Sequence, residues 1–198
     1  MPSAIGHALA GVAAAWTADL VPGRRDWRAT ASASWYRRAG DGLTVLCALL
    51  GALPDADLLF RVHRTMSHSV GILLLVTGIA AAVTGWVARR PVARVALMCG
   101  GAYATHLLLD WLGADSSPPY GLQVFWPFSG IWLASGWDVF RDLTRRQVLT
   151  AASMRVNLLA VAQELAILGP VLVALWLVRA KALARLAARM PRRDHPPQ

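Results

Sequence analysis

Apolar residues run along this chain in five blocks separated by polar connections. Blocks 4–20, 43–60, 69–88, 92–112 and 158–178 predict helices long enough, or nearly so, to cross a bilayer. The first block, rich in Ala and Val and closed by Asp19 and Pro22, is short. As a helix it would be about 25 Å long at 1.5 Å per residue, against a hydrocarbon core of roughly 30 Å. The second is apolar to Leu53 and then meets Pro54, Asp55 and Asp57, and the third begins directly after His68. Those two helices predict a hairpin with its polar residues at the tip. Residues 113–142 hold Pro118, Pro119 and Pro127 with Trp126, Phe128, Trp132 and Trp137 between them, which reads as an ordered loop anchored at the membrane surface. Thr144 is the expected N-cap of a last long helix, amphipathic at first (Arg145, Arg146, Arg155) and apolar afterwards. The pattern predicts an all-α polytopic membrane protein of four to five transmembrane helices with a metal site at helix ends. Residues 1–190 form a single integral membrane domain, and the Pro- and Arg-rich tail 191–198 is expected to be disordered.

Composition agrees. The 198 residues are 56% hydrophobic with a mean hydropathy of +0.45, too apolar for an ordinary soluble domain. The net charge of +9 is carried almost wholly by Arg in the connections, as membrane topology requires and nucleic-acid binding does not. Cys47 and Cys99 lie inside apolar blocks and belong to no Cys-x-x-Cys pair, so no disulfide framework is expected. The start of the chain lacks the basic region and cleavage site of a signal peptide, and the first block is expected to stay in the mature protein.

Against that background residues 54–69 stand out, because they place Asp55, Asp57, His63 and His68 between two apolar blocks of a chain that is only 16% charged. Mixed imidazole and carboxylate suits Zn²⁺, Mn²⁺ or Fe, whereas Ca²⁺ and Mg²⁺ call for oxygen alone. In the fourth block His106 and Asp110 are four residues apart, on one helix face with Cβ atoms about 6 Å apart. If all five blocks cross, His7, the 55–68 group and the His106–Asp110 pair fall on the same side. The same alternation puts fourteen Lys and Arg residues opposite the cluster and six beside it, so the positive-inside rule places the cluster on the extracytoplasmic face.

Each candidate has a plain alternative: a turn cap for Asp55 and Asp57, a structural hydrogen bond for His106 and Asp110, a packed or interfacial ring for His7. Glu164, alone in the fifth block, is a functional candidate by its position in the membrane, or pairs with an Arg, or stays protonated. Arg64 is a candidate for holding an anionic substrate such as a phosphate, and Trp126 with Pro127 for shaping a lid.

The segments Gly6-His7, Leu53-Pro54-Asp55-Ala56-Asp57, His63-Arg64-Thr65-Met66-Ser67-His68-Ser69, His106-Leu107-Leu108-Leu109-Asp110 and Trp126-Pro127-Phe128 resemble the membrane-bound metal-dependent hydrolases of the LexA-regulated inner-membrane family. Thr65 and Ser67 stand where that pattern has Gly and Thr. The resemblance implies a helical hydrolase around a metal site in the inner membrane. By analogy only, helical enzymes of the zinc-dependent phospholipase C and P1 nuclease type also gather His and Asp from several helices.

The expected site therefore holds one to three divalent ions, Zn favoured with Mn or Fe as alternatives. His7, His68, His106, Asp55 and Asp110 are the metal ligands, and Asp57 and His63 serve as a further ligand, a bridge or the general base. The expected reaction is metal-assisted hydrolysis of a phosphoester, lipid or lipid-linked ester. The rivals are a non-enzymatic metal carrier, with Glu164 as a deeper second site, and a structural membrane protein whose helices a metal bridges.

Overall fold

A computed structural model describes residues 1–20, 40–60, 64–87, 92–145 and 147–188. Among them the chain is all-helical, with two isolated β-bridges and no strand: α1 (Ala4–Leu20), α2 (Gly42–Ala52), α3 (Val70–Val87), α4 (Val92–Leu112) and α5 (Ala151–Ala188), with short 3₁₀ segments at Leu53–Phe60 and Met66–His68. His63 and the tail 191–198 lie outside the described residues.

Among the described residues three helices, α3, α4 and the 151–182 portion of α5, are long and apolar enough to cross a membrane. This is fewer than the four to five expected. With 17 residues α1 falls short of a full span. The second block does not form one long helix, because Pro54 lacks the N–H an α-helix would need and the backbone tightens into the 3₁₀ segment after Ala52. Asp41 starts α2 with a capping box: its Oδ1 accepts from Thr44 N at 3.0 Å while Thr44 Oγ1 accepts from Asp41 N at 3.3 Å. The N-cap of α5 is Thr150, whose Oγ1 accepts from Ser153 N at 3.3 Å, and not Thr144. That residue sits in the preceding loop, where the Asn157 side chain bonds both its N–H (2.8 Å) and its carbonyl (3.0 Å).

Helix α4 is the centre of the bundle. Buried residues make up 56% of its spanning window, against 6% for α3 and 11% for α5, so the latter two present most of their apolar surface outward, as lipid-facing helices do. Small residues let α1 and α2 approach closely. A Cβ on Gly11 would meet the Cys47 carbonyl oxygen at 2.3 Å, and one on Gly51 the His7 carbonyl oxygen at 2.4 Å. Below that seam Ala15, Cys47, Met98 and Ala102 form a buried cluster joining α1, α2 and α4. The contacts pair the start of α1 with the end of α2, and Tyr103 OH donates to Ser67 O at 2.5 Å. His7, the 53–60 and 64–68 segments and the last turns of α4 thus share one end of the bundle.

The loop after α4 closes over that end. Leu122 and Leu133 exchange backbone hydrogen bonds of 2.9 Å, Val70 N donates to Val124 O at 2.8 Å, and Gln123 N to Arg64 O at 3.1 Å. Gly121 takes φ +93° where a Cβ would lie 2.3 Å from Leu133 O, a position only glycine fills without strain. Phe125, Phe128, Ile131 and Trp137 of this loop are exposed.

Candidate metal centre

Four elements deliver the polar groups. Helix α1 brings His7, the 3₁₀ segment after α2 brings Asp55 and Asp57, the segment before α3 brings His68, and α4 brings His106 and Asp110 one turn apart. All three imidazoles are fully buried, the Asp110 side chain is fully buried, and that of Asp55 is 14% exposed. One ligand atom each from Asp55, His68, His106 and Asp110 lies within 4.8 Å of the others, a group that could hold a metal ion. His7 lies against it, its ring stacked on His106 with centroids 3.7 Å apart and its Nε2 3.2 Å from Asp110 Oδ1 and 4.0 Å from Asp55 Oδ2.

The separations suit ligands of one ion. Asp110 Oδ2 is 3.2 Å from both His68 Nε2 and His106 Nε2, the two nitrogens are 3.0 Å apart, and Asp55 Oδ1 is 4.0 Å from each. Tetrahedral bonds of about 2.0–2.1 Å would hold ligand atoms about 3.3 Å from one another. Both Asp110 oxygens, Asp55 Oδ1 and both His7 nitrogens are buried without a hydrogen-bond partner among the described residues; the short approaches between them are ion-pair contacts without hydrogen-bond angles. Buried polar atoms are rarely left so. Two buried carboxylates short of hydrogen-bond partners would also be costly, and a divalent ion would balance their charge. The residues present therefore fit such an ion.

The surroundings fix which nitrogen faces inward. His106 Nδ1 is 2.7 Å from the Gly51 carbonyl, which can only accept, so Nδ1 carries the proton and Nε2 offers its lone pair to the group. His68 Nδ1 lies 3.2 Å from Asp57 Oδ2, which leaves its Nε2 facing the same way. Asp57 is itself held, accepting from Ser67 Oγ at 2.5 Å and Arg64 N at 3.2 Å. It stands behind His68 and not among the converging atoms. Burial works against charge on His68, but the Asp110 and Asp57 carboxylates outweigh it and raise its pKa to about 9. A carboxylate behind a histidine was expected at the reaction centre, and here it orients a ring.

A cleft of about 650 Å³ has Arg64 and Arg145 in its wall; none of the candidate ligands lines it, and Arg145 reaches from it to Asp55. Arg64, at a left-handed φ of 67°, donates through Nη1 to Asp115 and through Nη2 to Ser117 O at 3.1 Å. Its guanidinium is thus tied into the wall it lines. Trp126 is half-buried in the turn over α3 and does not line the cleft. Arg145, which the sequence reading assigned to an amphipathic helix, belongs to the loop before α5 and places Nη2 4.0 Å from Asp55 Oδ1. Nothing local in the sequence marks this approach; it depends on the fold of residues 113–145.

Glu164 is buried elsewhere. Its carboxylate accepts from Ser3 N at 2.7 Å and from Ser3 Oγ, and Ser3 Oγ accepts from Gly6 N at 3.1 Å. It holds the positive end of α1, and among the described residues it is neither paired with an Arg nor part of a group that could hold a metal.

A model of the YdjM inner membrane protein family matches residues 1–187, and the chain belongs to that family. No curated protein and no solved structure matches the chain.

Proposed function

We propose that this member of the YdjM inner membrane protein family is a membrane-bound metal-dependent hydrolase acting on phosphoesters. The observation that carries the reading is the convergence of Asp55, His68, His106 and Asp110, with His7 against them, as buried ligand atoms that Arg145 links to a cleft. Zn²⁺ suits this set of imidazole nitrogens and carboxylate oxygens best, with Mn²⁺ or Fe as alternatives. When bound, such an ion acidifies a water and polarises the ester oxygen.

The chain's own residues prepare the site. Gly51 O and Asp57 keep the His106 and His68 Nε2 lone pairs turned inward, and the imidazoles and Asp110 are buried while Asp55 is 14% exposed. Asp57 is a positioning residue in this scheme and acts through His68. If α1 and α2 cross the bilayer as well, the distribution of Lys and Arg supports an extracytoplasmic cleft, within reach of lipid or lipid-linked substrates.

A second reading has its own support: the ligands come from four segments, so an ion there would also tie together α1, α4, the Leu53–Phe60 segment and the Met66–His68 segment. The carrier reading is weakened by Glu164, whose contacts with Ser3 leave no deeper ligand group. The test is turnover of p-nitrophenyl phosphate, bis-p-nitrophenyl phosphate and phosphatidic acid by detergent-purified, zinc-loaded protein, set against Asp110→Asn. Hydrolysis by wild type that disappears in the variant supports the enzyme. Stoichiometric zinc with no hydrolysis on any of the three, and unfolding on chelation, supports the structural role instead.

A further inference from the structure

We infer that Arg145 is the anion-recognition residue of the cleft and that the group it recognises is a tetrahedral phosphate, an assignment that rests on the metal reading above. The cleft is about 650 Å³, within the range of small-molecule sites, and its polar wall is not uniform. Asp115 accepts from Arg64 Nη1, from Ser117 N at 3.1 Å and from Gly121 N at 2.7 Å. Asp142 accepts from Ser116 Oγ and from Ser116 N at 3.2 Å. Both carboxylates, and Arg64 with them, are spent on building the wall. Arg145 has partners too, its Nη2 lying 3.9 Å from Met1 Sδ, but it differs by position: it lines the cleft and also brings Nη2 to 4.0 Å from Asp55 Oδ1, the most exposed of the candidate ligands. An ion held by Asp55 would take up that carboxylate's charge, and the Arg145 guanidinium would then stand between the cleft and the ion.

A planar fork of N–H donors beside a cation fits a phosphate, which can accept a bidentate pair from the guanidinium while another oxygen faces the ion. A carboxylate ester offers no such charge before reaction. Pro118, Leu143 and Val156 supply apolar wall further out, enough to meet the organic part of a phosphoester. The Arg145 side chain is 34% exposed, so its replacement does not empty a core.

The test is inorganic phosphate binding to zinc-loaded protein by titration calorimetry, with zinc content measured on the same samples. Arg145→Gln should weaken phosphate binding about 10- to 100-fold with zinc content unchanged, and Arg145→Lys should recover part of the loss. On wild-type protein, phosphate should protect Arg145 from phenylglyoxal, read by peptide mass spectrometry, which needs no variant to fold. Competition by glycerol 1-phosphate, or by phosphatidic acid in phosphatidylcholine vesicles, then separates a soluble source of the phosphate from a lipid one. Phosphate affinity unchanged in Arg145→Gln, no protection of Arg145, or competition by neither compound overturns the assignment while leaving the metal reading standing. Wild-type protein that holds no zinc removes both.

Discussion

Replacing Gly51 with alanine tests whether the tight α1–α2 seam sets the metal group. The added Cβ would lie 2.4 Å from the His7 carbonyl oxygen and 3.2 Å from Gly11 Cα, both backbone atoms that no rotamer change can move. Restoring ordinary contact requires the helices to part by about 1 Å. Overpacking of this kind costs about 1–3 kcal/mol, offset by up to about 1 kcal/mol of better helix propensity, so the loss of stability is modest. The effect on metal is larger. The same shift moves the Gly51 carbonyl, now 2.7 Å from His106 Nδ1, beyond hydrogen-bonding range, and moves His7 with its helix. Loss of an outer partner of a ligating histidine costs about 10- to 100-fold in metal affinity. Zinc affinity of detergent-purified protein, measured by competition with a chromophoric chelator, should fall by that factor. Gly78→Ala is the control, since a Cβ there meets nothing within 4 Å. Zinc affinity in Gly51→Ala within about threefold of wild type, well short of the range expected for such losses, would refute the reasoning.

Asp57→Asn should weaken zinc about 10- to 100-fold while leaving the protein folded, read by the same competition and by circular dichroism; an unchanged affinity would mean that Asp57 does not orient His68. The pKa of His68 is raised from its ordinary 6.5 to about 9 in the metal-free protein, so its proton stabilises that state fully below pH 6.5, and the contribution is lost as pH climbs through 9. A metal must displace this proton, and zinc affinity should therefore climb by up to about tenfold per pH unit across that window; a flat profile between pH 6.5 and 8.5 would contradict it. Glu164→Ala strips the buried partners of Ser3 and should cost about 1.5–3 kcal/mol of stability, seen as a lower thermal midpoint in detergent, with zinc content retained in protein that remains folded.

The parts of the site that are legible in sequence are those where chemistry contradicts its surroundings. His7, His68, His106, Asp55 and Asp110 are expensive in an apolar chain, and the four-residue spacing of His106 and Asp110 survives in any helix. The helical class is legible for the same reason, in the length of the apolar blocks. Their number as spans is not, because whether 43–60 continues past Pro54 or tightens there depends on what packs against α2. Backbone partners are invisible too: that Gly51 O would fix the tautomer of His106 follows from the approach of α2 to α4, and a glycine carries no chemical signal. Arg145 reads as one of several basic residues before a helix until the loop 113–145 folds and carries it to Asp55. Asp57 shows the converse, a carboxylate whose type is evident and whose place, behind a ring rather than in front of it, is decided by Ser67 and the backbone of Arg64.

The most direct test is elemental analysis of the protein purified in detergent, wild type beside His106→Ala combined with Asp110→Ala. The account requires stoichiometric divalent metal, zinc foremost, in the wild type and its loss from the double variant with the helical content retained. Wild-type protein free of zinc, manganese and iron after purification without chelators, and unable to take them up, would contradict it.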